Sequence, residues 1–351
     1  AEEILSEIVE DDWQWRMENL PEFATATGDH RYDDRLDDRS LEAYASRIAW
    51  AELVRGRLEA WKQRFTLANR SGSASSEARV TARLLEHHCR CVCEGGEFKT
   101  WLAPLNRLEG PHTELPQLVN YMRFETAQDY CKYVARLEAS PRAVKQVEEL
   151  LREGIRAKIL PPLVGLEGVA AQLSSVEAGL ALGRTGPMWR PCPVATEAAE
   201  AAGQEERALK ALTVDLRKAF AELRKFVVDV YIPAVREIRG DSVACLDLPS
   251  GAALYSACLA FHTGSKRYTA ESVHALGLEE VSRISLELRL ALEACGLQKG
   301  ASQAESKRFL EELKVDPKHQ SKTPQASPRR AFGEVGVDPF NFIFLFYYPP
   351  P

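Results

Sequence analysis

The sequence predicts an all-α or nearly all-α fold, a bundle of long amphipathic helices. Three observations carry this prediction. Apolar residues recur in steps of three and four over long stretches, Ser, Thr, Pro and Gly stand where helices start and stop, and no segment alternates apolar with polar residues as a half-buried strand does.

The first long pattern runs from Ser40 to Phe65, with Leu41, Tyr44, Ile48, Ala51, Val54, Leu58, Trp61 and Phe65 on one face, Ser40 as N-cap and Glu42 in the first turn. A second helix is expected over Glu77 to Cys93, its inner face marked by Val80, Leu84, His87 or His88, and Cys91, with Gly95 and Gly96 as the stop. The stretch LAPLNRLEGPHTELPQL then reads as a turn-rich connection. Helical spacing resumes over Ala127 to Leu137, over Pro141 to Ala157 with Pro141 in the first turn, and over Pro162 to Leu182. GRTGPMWRPCPVA, residues 183–195, reads as a loop.

Leu209, Leu212, Leu216, Phe220, Leu223, Val227 and Val230 mark another long helix that Pro233 should kink or end. SGAALYSACLAF fits a helix or a strand, since periodicity does not separate them over so short a run. Thr269 then caps a helix bearing Val273, Leu276, Val281, Ile284, Leu288 and Leu292, closed by Gly296. The helical region thus covers 1–317. From residue 318 to 351 the chain turns polar and aperiodic and ends in FNFIFLFYYPPP, a tail unlike the helical body.

A chain of 351 residues is long enough to bury a large core, and no fixed-period repeat marks a solenoid. Its net charge of −6 lacks the basic excess of a nucleic-acid footprint, so no nucleic-acid partner is expected. The longest apolar run, FIFLFYY, is far shorter than the ~20 residues of a membrane helix, and no membrane role is expected. The opening AEEILSEIVEDDWQW has no initiator Met and no signal-peptide pattern, and reads as a processed or fragmentary start. Eight cysteines in so long a chain do not form a disulfide framework, which favours a reducing, cytoplasmic setting.

Few local patterns carry chemistry. EHHCRCVC (86–93) holds zinc-ligand residue types, but alternate helical residues diverge by about 200°, so the structural reading, with Cys91 and one His facing the core, is preferred over a metal site. None of the seven histidines is followed by Glu, and the GxSxG, P-loop and GxGxxG patterns are absent. GDHRYDDRLDD (28–38) gathers five Asp, His30 and Tyr32. It reads first as a helix stop at Gly28, a charged turn with Asp and Arg paired on a wet surface, and a helix start at Ser40.

ATATGDHRYDDRLDD, the block LNRLEGPHTELPQLVNYMRFETAQDYCKYVARLEASPRAVKQVEELLREGIRAKILPP, and LPSGAALYSACLAFHTG with RYTAESVHALGLEEVSRISLEL together resemble, in order, the family of domain of unknown function 885. The resemblance runs from the start of the chain to about Pro317. It implies a mostly helical zinc metallopeptidase of the HExxH type, whose His-Glu-x-x-Pro-Gly-His-His motif belongs to a C-terminal half that this chain lacks. The chain is then expected to be the N-terminal part of a zinc-peptidase-like fold, a truncated form that walls a substrate cleft for a peptide. No catalytic residue and no metal ligand is assigned, zinc being implied for the full-length family alone. The polar turn tips give Asp29, His30, His112 and Tyr255 as substrate contacts. The alternative is a non-enzymatic helical interaction protein using surface left uncovered.

Overall fold

A computed structural model of the chain describes residues 1–65, 74–190 and 198–315. Among the described residues every regular element is helical. Contacts divide the chain after Leu254 into two units.

The first unit opens with α1 (Glu2–Asn19), which ends where Leu20 leaves helical geometry and Pro21 restarts the chain as the short α2 (Pro21–Ala26). After the 28–38 segment, α3 (Leu41–Phe65) forms as expected: the Ser40 hydroxyl accepts from the Ala43 amide at 3.2 Å, and Tyr44, Ala51, Val54, Leu58 and Trp61 are buried.

The next helix, α4 (Ser76–Phe98), corrects two expectations. Val80 and Leu84, expected inward, are 54% and 66% exposed. The buried stripe is instead Ala78, Ala82, Cys89, Val92 and Gly96. Small residues let α3 approach closely: a Cβ on Gly96 would stand 2.6 Å from Ile48 Cδ1. Gly96 therefore serves packing, neither Gly95 nor Gly96 ends the helix, and the helix ends at Lys99, whose φ is +49°. Together α1, α3 and α4 bury one core built on Leu5, Ile8, Val54, Leu58, Trp61 and Cys89. A second contact, Trp101 stacked on Tyr44 at 4.3 Å with Leu102 and Leu150, ties α3 to the helices that follow.

The expected turn region contains α5 (Pro111–Tyr121). Pro111 occupies the first helical position, and Glu114 Oε1 accepts from the Gly110 amide at 3.0 Å, so the helix starts well enough to tolerate Pro116 inside it. The two helices expected on either side of Pro141 are one, α6 (Ala127–Ala157), started by a Thr126–Asp129 capping box. Tyr130, Tyr133, Val134 and Leu137 continue in helical register into Val144, Val147 and Leu151, so burial of one stripe outweighs the single backbone bond that Pro141 removes. Pro141→Ala is expected to restore that bond and raise stability by about 1–2 kcal/mol, measured as a higher urea midpoint at unchanged slope.

The helix expected over 162–182 is shorter: a 3₁₀ turn at Leu163–Leu166 precedes Gly168, whose φ of +81° breaks the pattern before α7 (Val169–Ala181). Residues 191–195 of the expected loop lie outside the described residues. Helices α8 (Ala198–Lys210), α9 (Arg217–Phe226) and α10 (Ile232–Arg239) follow one another through π-helical turns at 211–216 and 227–231. Pro233 therefore does not end the helix. It stands just after the wide 227–231 turn, where the tight i−4 carbonyl contact that proline cannot tolerate is relaxed. The main core packs α6 and α7 against this run, with Phe220, Leu223, Val227 and Tyr231 buried beside Tyr130, Val147 and Leu173.

The helix α11 (Gly251–Thr263) settles the helix-or-strand ambiguity and carries the chain into the second unit. There α12 (Ala270–Ala294) starts at a Thr269–Ser272 capping box and is followed by Gly296 at φ +108°. Its expected apolar face is not a core face in the described residues: Leu292 is buried, whereas Leu276, Val281, Ile284 and Leu288 are exposed. The last described helix is α13 (Gln303–Val315). The expected tail, 318–351, lies outside the described residues. No described helix is long and apolar enough to cross a membrane.

Candidate functional site

The stretch GDHRYDDRLDD is only in part a solvated turn. Gly28, at φ +90°, does end a helix, and Asp29 caps a 3₁₀ turn at His30–Tyr32 by accepting from the Arg31 amide at 3.1 Å. Asp33 and Asp37, expected at the wet surface, are each 2% exposed. Asp33 is covered by a fully buried guanidinium that α6 inserts beneath the segment, that of Arg136, and Asp37 by Glu22.

Arg136 Nε donates to the Arg35 carbonyl at 2.8 Å, and Nη2 donates to the Pro21 carbonyl at 3.0 Å and to the Thr25 hydroxyl at 2.6 Å. The Thr25 hydroxyl in turn donates to Asp33 Oδ1 at 2.6 Å, and His30 Nδ1 meets Asp33 Oδ2 at 2.8 Å. An ionised carboxylate only accepts, so the Asp33 contact places the proton on Nδ1 and leaves Nε2 as the second ring nitrogen. Burial draws the Arg136 guanidinium below its usual pKa, and the Glu22 and Asp33 carboxylates work against that shift.

A second cluster holds the far end of the segment. Arg39 Nη2 bridges Glu22 Oε2 at 3.0 Å and Glu114 Oε2 at 2.9 Å. Glu22 and Asp37 exchange backbone-to-carboxylate bonds at 3.0 and 3.2 Å, and the Arg39 amide donates to Gln146 Oε1 at 3.1 Å. Burial outweighs the Arg39 guanidinium and pushes the Glu22 carboxyl up to about 7. A folded pKa raised above the unfolded 4.5 gives stability that is complete below pH 4.5 and lost as pH rises through about 7. Glu22→Gln is expected to flatten the fall in melting temperature over that window. Identical pH slopes in calorimetry of the two proteins would contradict this.

The surface above the first cluster is an open cleft of ≈ 670 Å³ lined by Thr27, Gly28, Asp29, His30, Arg31, Arg123 and Lys132. Arg123 lies between α5 and α6, and Lys132 on the second turn of α6 donates to the His30 carbonyl at 2.6 Å. Asp29 is engaged by Arg31, whose Nε reaches both its oxygens at 3.0 Å, and this hydrogen bonding holds its carboxyl below the usual range.

Of the residues expected to touch substrate, Asp29 and His30 thus share one cleft. His112 is buried, 4% exposed, and burial lowers its pKa. It underlies the Gly110 turn, where a Cβ would come within 3.1 Å of its Nδ1, and it does not line the cleft. Tyr255 is exposed and belongs to the second unit. Sequence reading missed Asp33, Lys132, Arg123 and Arg136. The i, i+3 spacing of His30 and Asp33 brings them together across a 3₁₀ turn, and Arg136 shares the apolar stripe of Tyr133 and Ser140, an anomalous place for a charge.

At EHHCRCVC, Cys91 is buried as expected and Cys89 is buried as well, while His87 pairs with Arg90 at 2.9 Å and with Cys91 at 3.6 Å. Among the described residues no three His, Cys, Asp or Glu side chains come together as ligands for a metal ion.

No curated protein matches the chain. A crystal structure of a protein from Colwellia psychrerythraea, described as a lipoprotein, is similar with a TM-score of 0.66 at 16% identity, over 95% of this chain and 57% of that one. Likeness at that identity shows a shared fold, and the chain spans little more than half the length of that protein. The model of the family described as bacterial protein of unknown function (DUF885) matches residues 21–334, past the boundary at Pro317 drawn from composition, and the chain belongs to that family.

Proposed function

We propose that this chain is a substrate-contacting helical part of a peptidase-like protein, forming one wall of a cleft for peptides and leaving hydrolysis to groups it does not contain. The observation that supports the reading is the cleft at residues 27–31, 123 and 132, whose His30 ring is fixed from below through Asp33, Thr25 and Arg136. A polar turn held by a buried network is preorganised, so little conformational entropy is lost when a ligand docks. The resemblance supplies the peptide and the missing chemistry.

The test is a mixture of short peptides incubated with the full chain, with and without added zinc, followed by equilibrium dialysis and mass spectrometry. Binding without cleavage products is expected. Zinc-dependent, chelator-sensitive cleavage would overturn the non-catalytic assignment, and absence of binding would overturn the wall. A second reading, a helical interaction protein, is favoured by the exposed Leu276, Val281, Ile284 and Leu288 on α12. A monodisperse monomer that captures no partner would count against it.

A further inference from the structure

We infer that the 27–31, 123 and 132 cleft takes a carboxylate group of a peptide, at its C-terminus or on an acidic side chain. This rests on the substrate-contacting reading and adds the chemistry of the group that is held.

The charges lining the cleft do not cancel. Arg31 and Asp29 neutralise each other through three hydrogen bonds from the guanidinium, at 3.0, 3.0 and 2.5 Å, and a further bond ties Arg31 Nη2 to Gln14 at 2.8 Å. Arg123 has no hydrogen bond or ion pair among the described residues. Lys132 gives one donor to the His30 carbonyl, and its charge also acts on Asp129 on the preceding turn of α6. Arg123, uncompensated, and Lys132, shared with Asp129, therefore border one concavity of a chain whose net charge is −6. A local excess of positive charge attracts an anion, and a guanidinium beside an ammonium suits the two oxygens of a carboxylate.

His30 narrows the class. With Nδ1 directed at Asp33, Nε2 is the ring nitrogen left for a ligand, an acceptor in the neutral imidazole, and it has no hydrogen-bond partner among the described residues. A peptide carboxylate arrives with an amide N–H nearby that can fill it. The relay beneath, Asp33 to Thr25 to the buried Arg136, keeps the ring in this orientation, which makes Asp33 and Arg136 positioning residues rather than contacts.

The test is titration calorimetry of the full chain at low ionic strength with three probes: acetyl-Ala-Ala-Ala as free acid, the same peptide as C-terminal amide, and acetyl-Ala-Glu-Ala amide. At least one carboxylate peptide is expected to bind about tenfold tighter than the plain amide, and which one does so identifies the source of the carboxylate. Arg123→Ala, at an exposed position, should reduce that preference about tenfold with an unchanged melting temperature, whereas Lys132→Ala should reduce it as well and also lower the melting temperature, because it gives up the bond to the His30 carbonyl. If all three probes bind equally, or if neither variant changes the preference, the carboxylate inference falls while the substrate-contacting reading stands. If none of the peptides binds, both fall.

Discussion

Replacing Arg136 by leucine is expected to destabilise the first unit by about 3–5 kcal/mol, the range for removing one partner of a buried charge pair. Arg136 is 0% exposed, and its guanidinium serves the Arg35, Pro21 and Tyr32 carbonyls and the Thr25 hydroxyl at once, with Asp33 Oδ1 4.0 Å away. Leucine fills much of the volume but leaves these acceptors without a donor and strands the Asp33 carboxylate under the turn, and each buried unsatisfied group costs about 1–3 kcal/mol. Arg136→Lys keeps the charge but loses the planar fork, so it should fall between leucine and the parent. Urea unfolding followed by tryptophan fluorescence reads the difference. A loss below about 1 kcal/mol for the leucine variant would mean that the network does not hold the turn.

Asp33→Asn is expected to cost about 2–4 kcal/mol and to weaken peptide binding as well. The substitution keeps the shape and removes the charge that faces Arg136. It also presents an amide N–H or a weaker acceptor to His30 Nδ1, releasing the ring from its fixed orientation. Because Asp33 and Arg136 share Thr25, the two substitutions should not add: the double variant is expected to fall short of the sum by about 0.5–3 kcal/mol. Additive losses would show that the two residues act independently. The parallel fall in affinity separates a positioning role from a merely structural one, since Pro141→Ala changes stability in the same unit without touching the cleft.

Much of the fold is legible in the sequence because long helices repeat their apolar positions many times. Tyr44, Val54, Leu58 and Trp61 on α3 declare their face through size and spacing alone. The α4 face is misread for the opposite reason. Its buried positions are Ala78, Ala82, Cys89 and Gly96, small residues that signal close helix approach, while the larger Val80 and Leu84 face solvent. Pro141 and Pro233 mislead because local rules for proline yield to continuous burial in one case and to a π turn in the other.

The site is less legible. Gly28, Asp29 and His30 are visible as a polar turn, but a helix contributed from a hundred residues away decides which aspartates are buried. Nothing local distinguishes Asp33 from Asp34, although one is 2% exposed and the other lies at the surface. The resemblance names Asp29 and His30, and both line the cleft. It carries no information on Arg123 and Lys132, the residues whose charge gives the cleft its character.

The 27–31, 123 and 132 cleft is where the chain is proposed to meet its substrate. Backbone amide resonances of the isotopically labelled full chain, followed during titration with acetyl-Ala-Ala-Ala and acetyl-Ala-Glu-Ala, test this residue by residue. Saturable shifts centred on Gly28, Asp29, His30, Arg31, Arg123 and Lys132, with α12 unmoved, are the expected result. Shifts centred elsewhere in the first unit, or on α12, would contradict it.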